Sequence, residues 1–192
     1  MSHFFAYLAR MKFIPRWSLM RNTWRENLQE HSLQAAMIAH GLAVVRNRLF
    51  GGDLQVERAA LLALYHDAGE VIVGDLPSPI KHSNDTIDRA YGQLEEAARA
   101  RLLSMLPEDL RPDFAPLFEP AAADAELLAV VAWADKICAY LKCLEERRAG
   151  NLEFSEAEKA IRASLLGCEL PEVRYFLEHF VDSFRLTLDE LN

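Results

Sequence analysis

Apolar residues recur along this chain at spacings of three and four, the repeat of an α-helix that buries one face. Alternation of period two between turn residues is nearly absent, so the predicted fold class is all-α. The pattern predicts a short helix over 3–12 and a loop through Pro15 to about Asn27. A long helix follows over 29–48 and stops at Gly51-Gly52, and the next runs over 54–68. Pro77 and Pro79 exclude regular helix from the stretch between Gly74 and Asp85. A helix over 86–105 comes next, and Pro107, Pro112, Pro116 and Pro120 cut the segment after it into turns or single helical turns. A long helix over 121–149 ends before Gly150-Asn151. Ser155 and Glu158 have capping-box spacing and open another helix, and a last one covers 172–190 after Pro171. No repeat, low-complexity tract or linker divides the chain. Residues 1–192 are read as one domain, a helical bundle of about six to eight helices.

Composition narrows the partners. A chain of 192 residues is long enough to bury a core without disulfides or metal staples. Its net charge of −8 argues against polymeric nucleic acid as a partner, because a broad basic footprint is missing. A small anionic ligand remains compatible, since a local cation outweighs the global field. The three cysteines, Cys138, Cys143 and Cys168, form no C-x-x-C pair. They read as buried, reduced thiols of a cytoplasmic protein. The N-terminus lacks the apolar core and cleavage site of a secretory signal. The longest apolar run, Leu127 to Ala134, is far short of the roughly 20 residues a membrane span needs, and no membrane partner is expected.

The informative chemistry is polar residues on apolar helix faces. Asp135 shares a helix face with Leu128, Val131, Ala132, Cys138 and Ala139. A carboxylate inside that stripe is desolvated and needs a cation, supplied either by a metal or by Lys136, Lys142 or a distant Arg. Asp67 falls on the stripe set by Val56, Ala60, Ala63 and Leu64. Its neighbour His66 diverges by roughly 100° on a helix, but an adjacent pair at a helix end can converge. His31 shares a face with Ala35 and Ile38 and points inward. His3, His40, His82 and His179 are read as ordinary satisfied histidines. Taken together, His31, His66, Asp67 and Asp135 neutralise one another only around a cation. Their mixed nitrogen and oxygen set suits Mn, Fe, Co or Zn more than Ca. Glu70, four residues after His66, shares that face if the helix continues, where it handles a proton or positions a water. Otherwise it is a solvated residue past a frayed helix end.

The spaced set His31 … His66-Asp67 … Asp135 resembles the HD-domain superfamily of metal-dependent phosphohydrolases. The segments RWSLMRN, ENLQEHSLQAAMIAH, ALYHDAGEVIVGDLPSPIK, ADKICAYLKCLEE and FVDSFRLTLDEL are similar to the bacterial 5'-deoxynucleotidase family over nearly the whole chain. That resemblance implies an HD-domain-like bundle. It implies hydrolysis of 2'-deoxyribonucleoside 5'-monophosphates to deoxyribonucleoside and phosphate, and usually a homodimer. It implies one divalent cation, Co, Mn or a similar first-row metal, on His31, His66, Asp67 and Asp135. By the same resemblance Glu70 is the catalytic acid, Arg16 orients phosphate, and Trp17 stands against the sugar where a 2'-hydroxyl would project. The substrate loop is Asp75, Leu76, Pro77 and Ser78, with Asp75 accepting from the 3'-hydroxyl. Relatives are expected to carry Thr at the position of Ser78. Apart from the resemblance, Arg16-Trp17 reads as a surface Arg beside an aromatic anchor. A dinuclear HD enzyme is expected to place several histidines between the HD pair and the final Asp. Only His82 lies there, which favours a single metal. The alternatives are another HD phosphohydrolase acting on a cyclic dinucleotide or alarmone, a non-catalytic HD binding scaffold, or a plain bundle with buried salt bridges.

Overall fold

The computed structural model describes residues 1–81 and 83–192. Among these residues the regular structure is helical, apart from one antiparallel bridge between Pro15 and Asn27. The chain begins with α1 (Phe4–Leu8), which tightens into a 3₁₀ turn at Ala9–Phe13. It continues through α2 (Leu28–Phe50), α3 (Val56–Tyr65), α4 (Glu70–Val73), α5 (Ser78–Lys81) and α6 (Asp85–Ser104). After these come α7 (Arg111–Phe118), α8 (Ala125–Arg148), α9 (Ser155–Leu166) and α10 (Pro171–His179). Seven of the ten have eight or more residues, within the expected range.

The long helix α2 has chemical stops at both ends. The Asn27 side chain accepts from the amides of Gln29 and Glu30, and Glu30 accepts from the Asn27 amide, a complete capping box. Gly51 closes the helix in the left-handed region at φ 68°, where a side chain would be strained. Between these ends α2 buries Ala35, Ile38, Ala39 and Leu42 against Ala59, Leu62 and Ala63 of α3 and Val130, Ala134, Ile137 and Leu141 of α8. Alanines at the contacts let the three axes approach closely. Each fully buried Leu or Ile contributes about 1.5–3 kcal/mol. A second cluster, Phe4, Ala68, Leu102, Leu103, Leu106 and Phe118, joins α1, α6 and α7. Ala68 belongs to it, so the turn that follows Asp67 is wedged between the two cores.

The structure corrects several elements. The predicted helix over 54–68 stops at Tyr65, and residues 66–69 form turns before α4. The stretch from Gly74 to Asp85 holds a helical turn, α5, with Pro79 in its first turn, where the missing N–H is not needed. Ser155 does not cap α9: its hydroxyl donates to the Leu152 carbonyl, and Glu158 pairs instead with Arg147 and Arg185. The predicted helix over 172–190 ends at His179 and gives way to 3₁₀ turns at Val181–Arg185 and Leu188–Leu191. The three-residue spacing of the first turn directs both Val181 and Phe184 onto the main core.

One buried ion pair ties the long loop before α2 to the bundle. Lys142 and Glu146, one turn apart on α8, pair with each other at 4% and 2% exposure. Glu146 also accepts from the amides of Thr23 (2.9 Å) and Trp24 (3.2 Å) and from Asn151 Nδ2 (2.8 Å), and Lys142 donates to the Trp24 carbonyl. Burial opposes ionisation of Glu146, but these donors prevail and bring its pKa down to about 2 from 4.5. A carboxylate with a depressed native pKa adds stability that is complete above the unfolded pKa and lost as pH falls through the folded one. At 1.36 kcal/mol per pH unit the bond set is worth about 3 kcal/mol. Glu146→Gln is therefore expected to lower unfolding stability at pH 7 by that order. The gap from wild type should close between about pH 4.5 and 2; denaturant melts showing a pH-independent gap would refute the ionic role.

Candidate metal centre and active site

The site forms where α2, α8 and the turn after α3 meet the loop carrying Arg16 and Trp17. His31 lies in the first turn of α2 and is 1% exposed. His66 closes α3, and its Nδ1 is bonded to the Ala63 carbonyl at 2.7 Å. That bond holds a proton on Nδ1, so Nε2 is the nitrogen left to take a cation in place of its proton. His66 Nε2 lies 3.0 Å from Asp67 Oδ2, and His31 Nε2 lies 3.4 Å from the same oxygen. The adjacent His-Asp pair converges because the chain leaves the helix at His66. Ligand atoms of His31, His66 and Asp67 all lie within 4.8 Å of one another. Asp135 reaches this group from α8, with Oδ1 3.2 Å from His31 Nε2.

Asp135 is not sealed in an apolar stripe as its spacing suggested. Leu128 and Ala132 are exposed, while Val131 and Cys138 are buried, so Asp135 stands at the stripe's edge with its side chain 42% exposed. Its basic partner is Arg16, not Lys136 or Lys142: Lys136 bonds Ser164, and Lys142 belongs to the Glu146 pair. Arg16 is no surface residue. Its side chain is 13% exposed, with NH1 3.5 Å from Asp67, NH2 3.8 Å from Asp135 and Nε 3.6 Å from Glu26.

Trp17 occupies the left-handed region at φ 56°, which costs a non-glycine residue about 1–2 kcal/mol. Neighbours compensate. Its indole donates to Glu26 Oε2 at 3.0 Å, its ring packs on Phe154, and its carbonyl accepts from Met20 N and Asn22 Nδ2.

Glu70 opens α4 and is 8% exposed, with Oε2 lacking a partner among the described residues. The alternative of a solvated residue past a frayed end is excluded. Asp75 follows Gly74, whose φ of 83° turns the chain, and the Tyr91 hydroxyl donates to the Gly74 carbonyl at 2.6 Å. The loop is thereby held on α6. Leu76 and Pro77 are half-buried and Ser78 is exposed. His3, His40 and His179 lie on the surface, not in the core. His82 lies outside the described residues.

The electrostatics follow from crowding. Glu26, Asp67, Glu70, Asp75 and Asp135 all act on the single guanidinium of Arg16. Burial alone would lower the Arg16 pKa, but Glu26, Asp67 and Asp135 raise it. Burial also opposes the charged form of His66, yet Asp67 beside it pushes the pKa up to about 9. Against burial, the nearby His66 and His31 hold Asp67 well below the ordinary carboxylate range and bring Asp135 below it. For Glu70 the balance reverses: burial, then repulsion from Asp67 and Asp75, outweighs the pull of Arg16 and His66 and pushes it up to about 9. Burial also raises Asp75, against the pull of Arg16.

The residues fit a divalent cation. His31 Nε2 and His66 Nε2 are buried polar atoms without hydrogen-bond partners, aimed at Asp67. Two imidazoles and one or two carboxylates form a donor set suited to a first-row metal. Glu26 was missed at the sequence level. It stands among these groups only because the loop folds back along Pro15 and Asn27, with Arg16 N donating to the Glu26 carbonyl at 3.0 Å.

The family model "5'-deoxynucleotidase YfbR-like" matches residues 3–184. A 5'-deoxynucleotidase of Vibrio cholerae is 55% identical over 191 residues, covering 100% of this chain and 98% of its own. Among solved structures, an HD-domain phosphohydrolase of Listeria innocua superposes with a TM-score of 0.80 at 21% identity, covering 95% of this chain and 88% of that one. An HD phosphohydrolase of cyanophage S-2L, DatZ, solved with dA and one catalytic Zn²⁺ ion, has a TM-score of 0.62 at 18% identity, covering 93% and 96%. The two structures establish the all-α HD fold, and the family model with the full-length relative establishes membership: this chain belongs to the YfbR-like 5'-deoxynucleotidase family.

Proposed function

We propose that this chain is a metal-dependent 5'-deoxynucleotidase that hydrolyses 2'-deoxyribonucleoside 5'-monophosphates to deoxyribonucleoside and phosphate. The observation that carries the reading is the pair of buried, partnerless Nε2 atoms of His31 and His66 facing Asp67 beside Arg16. In this reading His31, His66, Asp67 and Asp135 hold one divalent cation, of the cobalt or manganese kind. When bound, such a cation supplies Lewis-acid stabilisation of phosphoryl charge and lowers the pKa of water. Arg16 presents the planar fork that matches phosphate oxygens. Its acidic neighbours hold that fork in place before substrate arrives, so little reorganisation is required. Glu70, whose burial favours the protonated carboxyl, delivers a proton to the departing 5'-oxygen. Asp75 accepts from the 3'-hydroxyl, Leu76, Pro77 and Ser78 complete the sugar and base contacts, and Trp17 occupies the space of a 2'-hydroxyl.

The three cysteines are free and buried, which supports a reducing, cytoplasmic setting. No helix among the described residues is long and apolar enough to cross a membrane. The −8 charge supports a mononucleotide over a polymer. Exposed Trp24, Leu33 and Met37 surround a cleft of about 330 Å³ on the outer face of α2, a surface suited to a homodimer.

Three experiments test this reading. Glu70→Gln is expected to lower kcat by about 10²- to 10⁴-fold while still binding metal; wild-type turnover would remove Glu70 from the chemistry. Mn²⁺ at about 100 times its Kd is expected to stabilise the wild type by about 2.7 kcal/mol and His66→Ala far less. Equal thermal shifts in both would place the metal elsewhere. Light scattering is expected to report a dimer for the wild type and a monomer for Met37→Glu. A monomeric wild type at micromolar concentration removes the homodimer, and a dimeric Met37→Glu moves the interface off this face.

A further inference from the structure

One carboxylate lies beside three groups on which the proposed chemistry depends. Glu26 Oε2 accepts the Trp17 indole proton at 3.0 Å and stands 3.6 Å from Arg16 Nε. Its other oxygen, Oε1, faces His31 Nδ1 at 3.9 Å. The side chain is only 12% exposed. It is held from both sides in sequence, by its own carbonyl bonded to Arg16 N and by Asn27, the cap of α2.

The three contacts differ in kind. The Trp17 contact is a true hydrogen bond, and an indole has one donor to give. That bond and the Phe154 ring fix the plane of a side chain whose backbone is already strained at φ 56°. A wall that excludes one hydroxyl group discriminates only while it stays in place. The His31 and Arg16 contacts are longer than hydrogen bonds, so there the negative charge acts. Charge beside Nδ1 favours a proton on that nitrogen, which makes Nε2, facing Asp67 and Asp135, the nitrogen available to a metal. Charge beside Arg16 Nε holds that edge of the guanidinium and turns NH1 and NH2 toward Asp67 and Asp135.

We propose that Glu26 is a positioning residue that couples sugar selection to the metal centre, holding Trp17 by hydrogen bond and His31 and Arg16 by charge. The proposal rests on Trp17 as the wall against a 2'-hydroxyl and on His31 as a metal ligand. Glutamine retains an oxygen acceptor for the indole but loses the charge; alanine loses both.

The test compares wild type, Glu26→Gln, Glu26→Ala and Trp17→Ala, with folding checked by circular dichroism. Mn²⁺ affinity is measured by electron paramagnetic resonance of the free ion. The deoxy-to-ribo ratio of kcat/KM is measured on matched 5'-monophosphates. Both Glu26 variants are expected to bind Mn²⁺ about 10- to 100-fold more weakly. Glu26→Gln should retain the sugar preference, and Glu26→Ala should lose it toward the Trp17→Ala value. Wild-type Mn²⁺ affinity in Glu26→Gln overturns the proposal, and that arm decides even if the alanine variant fails to fold. A folded Glu26→Ala with wild-type preference overturns the coupling to Trp17. If Trp17→Ala itself keeps full preference, the role assigned to Trp17 fails instead, and the Mn²⁺ arm still judges Glu26.

Discussion

Everything in this molecule depends on an imbalance of charge. Five carboxyl groups act on one guanidinium at the junction of α2, α3 and α8, with the imidazoles of His31 and His66 beside them. Like charges gathered at low solvent exposure cost several kcal/mol unless a cation or a proton compensates. The site uses both remedies. Asp67 and Asp135 stay ionised against His31, His66 and Arg16, whereas Glu70, pressed by Asp67 and Asp75, keeps its proton. Two kinds of carboxyl group, one a ligand and one an acid, thus arise from one residue chemistry by placement alone.

The scaffold resists that repulsion because its parts have little freedom to move. His31 is fixed in a capped first helical turn, and His66 by its bond to the Ala63 carbonyl. Ala68 anchors the turn after Asp67 in the second core. The Arg16–Trp17 loop has no helix of its own. It is held by backbone bonds to the segment before α2, by the indole bond to Glu26 and by the buried Lys142–Glu146 pair. A strained Trp17 persists because so many neighbours determine it. Asp135, half-exposed at the edge of its stripe, keeps the centre open to solvent and to a ligand.

Much of this was legible in the residues. Helical periodicity, the Gly51 stop and the apolar faces of α2, α3 and α8 follow from local rules, and six of the seven longer helices start near where spacing put them; α7 instead runs two turns through Pro112 and Pro116, where the prolines predicted only turns or single helical turns. His31 and Asp67 lay on buried stripes and are indeed little exposed. Failures cluster where local rules compete with packing. Ser155 had the spacing of a cap but found the Leu152 carbonyl instead, and Glu158 found Arg147 and Arg185. The helix after Pro171 shortened because Val181 and Phe184 reach the core along a 3₁₀ path.

The sequence by itself determined the element types, the apolar faces and, through its resemblance to a known family, the set of polar residues that belongs together. Those are properties of spacing and residue chemistry, which neighbours along the chain express. Only the tertiary structure decided that Glu26 joins Arg16, Trp17 and His31, that Asp135 sits at an edge, and that Glu70 is buried with an unpartnered oxygen. Each depends on segments far apart in the chain meeting, and on how much water the meeting excludes. No local periodicity encodes either quantity.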